Sequence, residues 1–137
     1  MIQRVYEQVK RARYLDDIVV ATDDERIKRH VENFGGKVVM TSPDHRSGTD
    51  RCYEALDRSG RKFDYVINIQ GDEPFIQPEQ IDELGTILNG EIQLGTVVKP
   101  IEDPEVLFNE NVPKAILNNQ NDVLLQPSDH PIFKRNS

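Results

Sequence analysis

Short runs of β-branched residues alternate with longer amphipathic stretches, and this alternation constrains the fold more than any other feature of the chain. Asp17-Ile18-Val19-Val20-Ala21-Thr22 is apolar and β-branched, so it reads as a strand. Lys37-Val38-Val39-Met40 reads as a second strand, and Asp64 to Ile69 as a third. Between them lie helical patterns. Val5, Val9, Ala12 and Leu15 recur at three- or four-residue spacing, which predicts an amphipathic helix over residues 2–13. Asp23 or Asp24 can cap a helix that runs to about Asn33 and ends at Gly35-Gly36. Thr49 to Ser59 predicts another helix, stopped by Gly60, and Pro78 near a first turn opens a helix to about Leu88. Gln93–Val98 and Lys114–Leu117 are further strand candidates. Strands separated by helices imply βαβ units, hence an α/β fold with a mostly parallel sheet and flanking helices.

With 137 residues the chain suits one domain. Its 30% charged and 36% hydrophobic content points to a soluble protein. No apolar run approaches the ~18–20 residues needed to cross a bilayer. Met1-Ile2-Gln3-Arg4-Val5-Tyr6 lacks the basic-then-apolar layout of a signal peptide, so a cytoplasmic location is the expectation. The single cysteine, Cys52, excludes an intramolecular disulfide and a multi-cysteine metal site, and it reads as an ordinary helix position. A net charge of −7 argues against a general nucleic-acid binder, which shows a basic face. A small anionic substrate stays compatible, because local arginines and backbone amides can hold one on an acidic protein.

Ligands of open parallel sheets bind outside the carboxyl ends of the strands, and three strand exits are polar. Thr22-Asp23-Asp24-Glu25-Arg26 reads as a helix cap with first-turn acids favoured by the macrodipole. In His45-Arg46-Ser47-Gly48-Thr49-Asp50-Arg51, Ser47 and Thr49 are good N-cap residues and Gly48 lets a ligand approach the backbone. The amides that follow, with Arg51, offer donors to an anion or to the carbonyl and ring nitrogen of a base. A capped helix with a solvated arginine fits the same spacing equally well. The segment lacks the Gly-x-x-x-x-Gly-Lys-Ser/Thr pattern of a P-loop. The third exit, Ile69-Gln70-Gly71-Asp72-Glu73-Pro74, brings Asp72 within reach of a hard divalent cation and Gln70 within reach of a substrate hydroxyl or carboxylate. An exposed Asp-Glu-Pro turn is the plainer alternative. Asp72 and Glu73 are adjacent and point to opposite sides, so they are not expected to share one metal. His30 and His130 have no partners at ligand spacing, and His45 is notable only for its neighbours.

In order and spacing, "VATDDERI" (20–27), "MTSPDHRSGTDR" (40–51) and "INIQGDEPFI" (67–76), with "PIEDPEVLFNENVPKAIL" (100–117), resemble the 3-deoxy-manno-octulosonate cytidylyltransferases, the CMP-KDO synthetases of lipopolysaccharide biosynthesis. The resemblance covers roughly residues 1–120 and rests on several separated motifs. It implies a Rossmann-like nucleotidyltransferase, incomplete in this chain, that couples CTP to 3-deoxy-manno-octulosonate (KDO) and releases pyrophosphate. It further implies Mg²⁺ as cofactor and a homodimer for the full-length family, with no nucleic acid and no membrane insertion. By position, the resemblance puts Ser47, Gly48 and Arg51 at the cytidine, Gln70 at the sugar acid and in catalysis, and Asp72 on the metal and in catalysis.

The family pattern begins with a strand and a basic triphosphate loop and continues well beyond residue 137, so the chain is expected to be a piece of a longer protein with little or no turnover alone. Residues 1–120 are expected to form a partial nucleotide-binding domain, and residues 121–137 a divergent or poorly ordered tail. The alternatives are a related enzyme acting on another sugar acid, such as sialic acid, and a non-catalytic nucleotide-binding or interaction module.

Overall fold

The structure is a computed structural model and describes residues 1–93, 95, 98, 100–109 and 114–125. The chain divides into two units, Met1–Gly90 and Glu91–Ser137. In the first, helix α1 (Ile2–Val9) precedes strand β1 (Val20–Thr22), helix α2 (Glu25–Asn33), strand β2 (Val38–Met40), helix α3 (Gly48–Ser59) and helix α4 (Pro78–Ile87).

Strands β1 and β2 pair in parallel, Val20 with Val38, Ala21 with Val39 and Thr22 with Met40. Parallel neighbours need a crossover, and α2 supplies it. Of the two acids after β1, Asp24 is the cap, accepting from the Arg26 amide at 2.7 Å. Helix α2 buries Val31 completely. Gly36 passes so close to that helix end that a Cβ there would lie 2.6 Å from Phe34 Cε2 and 2.8 Å from Val31 Cγ1. Gly60, at φ +63°, ends α3 in the left-handed region, where a side chain would be strained.

The core of this unit lies between α1 and α4. Val5, Val9 and Ile81 are buried together, with Ala12, Leu15, Ile18, Ile67, Ile69 and Ile76 packed around them. Each buried aliphatic side chain contributes roughly 2 kcal/mol. The helix predicted over 2–13 stops at Val9. Its last amides bond one residue short, Arg11 to Gln8 and Ala12 to Val9, which tightens the final turn. The Arg13 amide, which a continuing helix would give to Val9, instead goes to Asp82 Oδ1 at 2.6 Å, and Arg13 Nε reaches Asp82 Oδ2 at 3.0 Å. A tertiary contact thus overrides the local pattern.

The third expected strand, 64–69, is a correction. Its residues alternate as a strand would, with Tyr65, Ile67 and Ile69 half-buried and Asp64, Val66 and Asn68 exposed, yet no ladder forms. A strand needs a neighbouring backbone as well as an apolar face. Here the face is satisfied by the α1–α4 core, while no strand among the described residues pairs with it.

The second unit holds helix α5 (Pro104–Phe108) and an antiparallel pair, β3 (Ile116–Leu117) with β4 (Val123–Leu125). Asp103 caps α5 by accepting from the Glu105 amide at 2.9 Å. The β3–β4 turn is closed by Asn118, whose side-chain oxygen accepts from the amides of Gln120 and Asp122, with Asn121 at φ +63°. Strand β4 falls within the stretch 121–137 that was expected to be a tail, and residues 126–137 lie outside the described residues. The strand expected at Gln93–Val98 also falls largely outside them. Among the described residues no helix is long and apolar enough to cross a membrane.

Two predictions follow from these contacts. Gly36→Ala must push a methyl into Phe34 and Val31, and should cost about 1–3 kcal/mol in urea unfolding. Several carboxyl groups are held below their usual pKa, among them Asp17, chiefly by the Lys37 ammonium, Asp82 by the Arg13 amide, and Asp24, lowered to about 2, by the Arg26 guanidinium. Each binds its proton more weakly folded than unfolded. Its stabilisation is therefore present above the ordinary carboxylate pKa of about 3.9 and is lost as pH falls through the folded value. Melting temperature should drop as pH is lowered from about 5 to about 2, and Asp82→Asn should flatten that drop while lowering the melting temperature at neutral pH.

Candidate active site

Parallel strands end at the same edge of their sheet, so the exits of β1 and β2 lie side by side. The Thr41 amide donates to the Thr22 carbonyl at 2.9 Å, carrying the pairing one residue past the strands. Both threonines are buried, Thr22 at 5% and Thr41 at 6% exposure, so this edge is a fixed floor. Because Asp24 takes the capping role, Asp23 is free to turn toward α3.

Helix α3 brings Arg51 to this floor. Arg51 Nη1 donates to Thr41 Oγ1 at 2.9 Å, and Nη2 donates to Asp23 Oδ2 at 3.0 Å. The guanidinium holds the Asp23 carboxyl below the usual range. One turn earlier, Ser47 is the N-cap. Its hydroxyl accepts from the Asp50 amide at 3.1 Å and donates to Asp50 Oδ2 at 2.7 Å. The Ser47 hydroxyl is therefore occupied by the helix. The free donors of the first turn are the amides of Gly48 and Thr49, as helix geometry requires.

The approach to this turn is fixed by Glu54, one turn past Arg51. Glu54 Oε2 accepts from the Ser42 amide at 2.9 Å and meets His45 Nε2, while Oε1 pairs with Arg58 Nη2. The Ser42 amide and the His45 side chain keep the Glu54 carboxyl below its usual range. His45 is thus a strut between the loop and α3. Cys52 lies in α3 with its Sγ 3.3 Å from Asn68 Oδ1, and burial raises its thiol pKa, which disfavours a nucleophilic thiolate.

The 67–73 segment closes the site from the other side. A Cβ on Gly48 would lie 3.4 Å from Gln70 Nε2 and 3.8 Å from Asn68 Nδ2, so the Gln70 side chain rests on the α3 N-terminus. The structure thus brings Ser47, Gly48, Arg51 and Gln70 together. Asp72 sits in the turn after Gln70, where the Glu73 amide donates to the Gln70 carbonyl at 3.2 Å, and its side chain is exposed. Glu73 and Phe75 are exposed too. Among the described residues no three-residue cluster of His, Cys, Asp and Glu is placed to hold a metal. A lone exposed carboxylate still fits Mg²⁺, which takes one or two carboxylates when substrate phosphates complete its shell. A hollow lined by Asp64, Tyr65, Leu88 and Gly90 includes none of the site residues named above. It does not belong to this site.

Sequence reasoning missed Asp23, Thr41 and Glu54. Asp23 was hidden because two adjacent acids could cap α2 and spacing cannot choose between them. The Glu54–Arg58 pair is readable as i, i+4, but the bond to His45 exists only once the loop folds back onto the helix.

A family model described as cytidylyltransferase matches residues 1–137. The 3-deoxy-manno-octulosonate cytidylyltransferase of Bacteroides thetaiotaomicron is 55% identical over 142 residues, covering 100% of this chain and 56% of the relative. That of Cytophaga hutchinsonii is 55% identical over 118 residues, covering 86% of this chain and 47% of the relative. A solved structure of CMP:2-keto-3-deoxy-manno-octonic acid synthetase complexed with CTP is similar at a TM-score of 0.79 and 33% identity, over 94% of this chain and 55% of that one. The chain spans about half the length of the curated relatives it matches. With its α/β fold and a parallel pair whose exits carry the matching motifs, the chain belongs to the cytidylyltransferase family.

Proposed function

We propose that this chain carries the cytidine-recognition residues and one metal-binding carboxylate of an enzyme that couples CTP to KDO. The observation that carries the reading is that α3 brings Arg51 to the exits of β1 and β2 while Gln70 rests on Gly48 at the start of the same helix. Cytosine offers two acceptors on one edge, the carbonyl oxygen and the ring nitrogen. The Arg51 guanidinium and the Gly48 and Thr49 amides are donors of the matching kind, held by a capped helix rather than by a mobile loop. Gln70, beside Gly48, is then placed between the base and a second substrate, where its amide can hydrogen-bond the sugar acid.

In the reaction, the anomeric hydroxyl of KDO attacks the α-phosphate of CTP. A new P–O bond forms, the bond to the β-phosphate breaks, pyrophosphate leaves, and the hydroxyl proton passes to solvent. Asp72 would hold Mg²⁺, whose charge offsets the negative charge on the phosphates and on the attacking oxygen. Gln70 orients the acceptor, and Arg51 with the α3 amides fixes the nucleotide, which converts the encounter into a positioned one. Aside from the metal, the chain's contribution is binding and orientation.

Isothermal titration of the 137-residue chain with CTP and Mg²⁺ tests this reading. Saturable binding is expected, and Arg51→Ala should weaken it by about tenfold or more, the effect of losing a charge-assisted contact. No saturable binding of CTP would sink the proposal. Asp72→Asn should reduce the Mg²⁺-dependent gain in CTP affinity while leaving CMP binding nearly unchanged, because CMP lacks the β- and γ-phosphates that complete the metal's shell. An equal loss for both nucleotides would remove Asp72 from the metal.

A further inference from the structure

We propose that Asp23 is a positioning residue for Arg51, and that the Asp23–Arg51–Thr41 tie makes the site select cytosine over uracil. The inference rests on the proposed cytidine site and adds to it a residue with a stated job.

A guanidinium has five N–H bonds in one plane. In this chain one Nη1 hydrogen goes to Thr41 Oγ1 at 2.9 Å and one Nη2 hydrogen to Asp23 Oδ2 at 3.0 Å. Two anchors on different nitrogens fix both the position and the rotation of the plane. The anchors sit on separate strand exits, Asp23 after β1 and Thr41 after β2, and the two exits are bonded to each other through the Thr41 amide and Thr22 carbonyl at 2.9 Å. Thr41 is buried, so its hydroxyl cannot follow a drifting arginine. The remaining N–H bonds of Arg51 have no partner among the described residues.

A fixed donor edge discriminates where a mobile one does not. Cytosine presents its carbonyl oxygen and an unprotonated ring nitrogen, both acceptors. Uracil presents the same carbonyl beside a ring N–H, which is a donor. An arginine free to swing would keep the bond to the shared carbonyl and move its other hydrogens away from the uracil N–H. An arginine locked by Asp23 and Thr41 cannot, so uracil buries a donor against a donor, and an unsatisfied polar group is costly. Asp23 contributes charge as well: its carboxylate is held in the ionised form by Arg51, and in this pair the Arg51 side chain is 21% exposed and that of Asp23 36%. Asn at position 23 retains an acceptor oxygen but removes the charge and weakens the lock.

The test measures CTP and UTP binding to the full 137-residue chain, wild type and the variants Asp23→Asn, Asp23→Glu and Thr41→Val. Wild type should prefer CTP. Asp23→Asn should cut the CTP-to-UTP affinity ratio by about tenfold, as expected when one charge-assisted anchor is lost, with part of the change a gain in UTP binding. Asp23→Glu, which restores the charge, should recover part of the ratio. If Asp23→Asn weakens both nucleotides equally, Asp23 is only structural and the inference fails while the cytidine site stands. If wild type binds CTP and UTP alike, the cytidine reading itself fails, and the inference with it. Arginine-edited NMR of the ligand-free chain gives a readout that needs no nucleotide or variant. Split Arg51 Nη signals from slowed rotation support the lock, and averaged signals overturn it.

Discussion

Two parallel strands must reach the same edge of their sheet, because the chain has to cross back over the sheet before it can start the second one. Most of what the first unit presents to a ligand depends on this constraint. It puts Asp23 and Thr41, eighteen residues apart in sequence, beside one another, with the Thr41 amide bonded to the Thr22 carbonyl. Arg51 then bridges the two exits from α3 and ties a helix to the sheet edge through its side chain. The same arginine is the donor that the cytidine reading needs. On that proposal architecture and recognition share one guanidinium, and its loss would be felt in both.

Around this point the chain uses helix termini as tools. Ser47 gives its hydroxyl wholly to Asp50, which sharpens the start of α3 and leaves the Gly48 and Thr49 amides as the open donors. Glu54 draws the Ser42 amide and the His45 ring onto the same helix, so the loop before the cap is braced from two places. Gln70 leans on Gly48, where any side chain would touch it. Ser47 therefore acts through the shape of the turn rather than through its hydroxyl. His45 acts as a brace rather than a ligand.

Much of this was legible in the sequence. The β-branched runs gave β1 and β2, the glycines gave the ends of α2 and α3, and Pro78 marked the first turn of α4. The motifs around residues 20–27, 40–51 and 67–76 pointed to the family that the whole chain matches. The end of α1 was not legible, since residues up to Leu15 keep a helical apolar spacing and only Asp82, far along the chain, takes the Arg13 amide out of the helix. Nor was the fate of 64–69. Its residues do alternate, one half-buried and the next exposed, but alternation says nothing about whether a neighbouring backbone is there to complete a ladder.

The sequence by itself determined element type and the identity of the polar residues at each exit, because periodicity, caps and turn residues act over a few positions. It could name Ser47, Gly48, Arg51, Gln70 and Asp72 as candidates. Tertiary structure alone decided which of them meet and in what role. Asp24 became the cap and Asp23 the partner of Arg51, although both acids stand at the same strand exit. Glu54 found His45, and Gln70 found Gly48. Those choices depend on distances between segments that lie far apart in the chain, and spacing along one strand or helix carries no information about them.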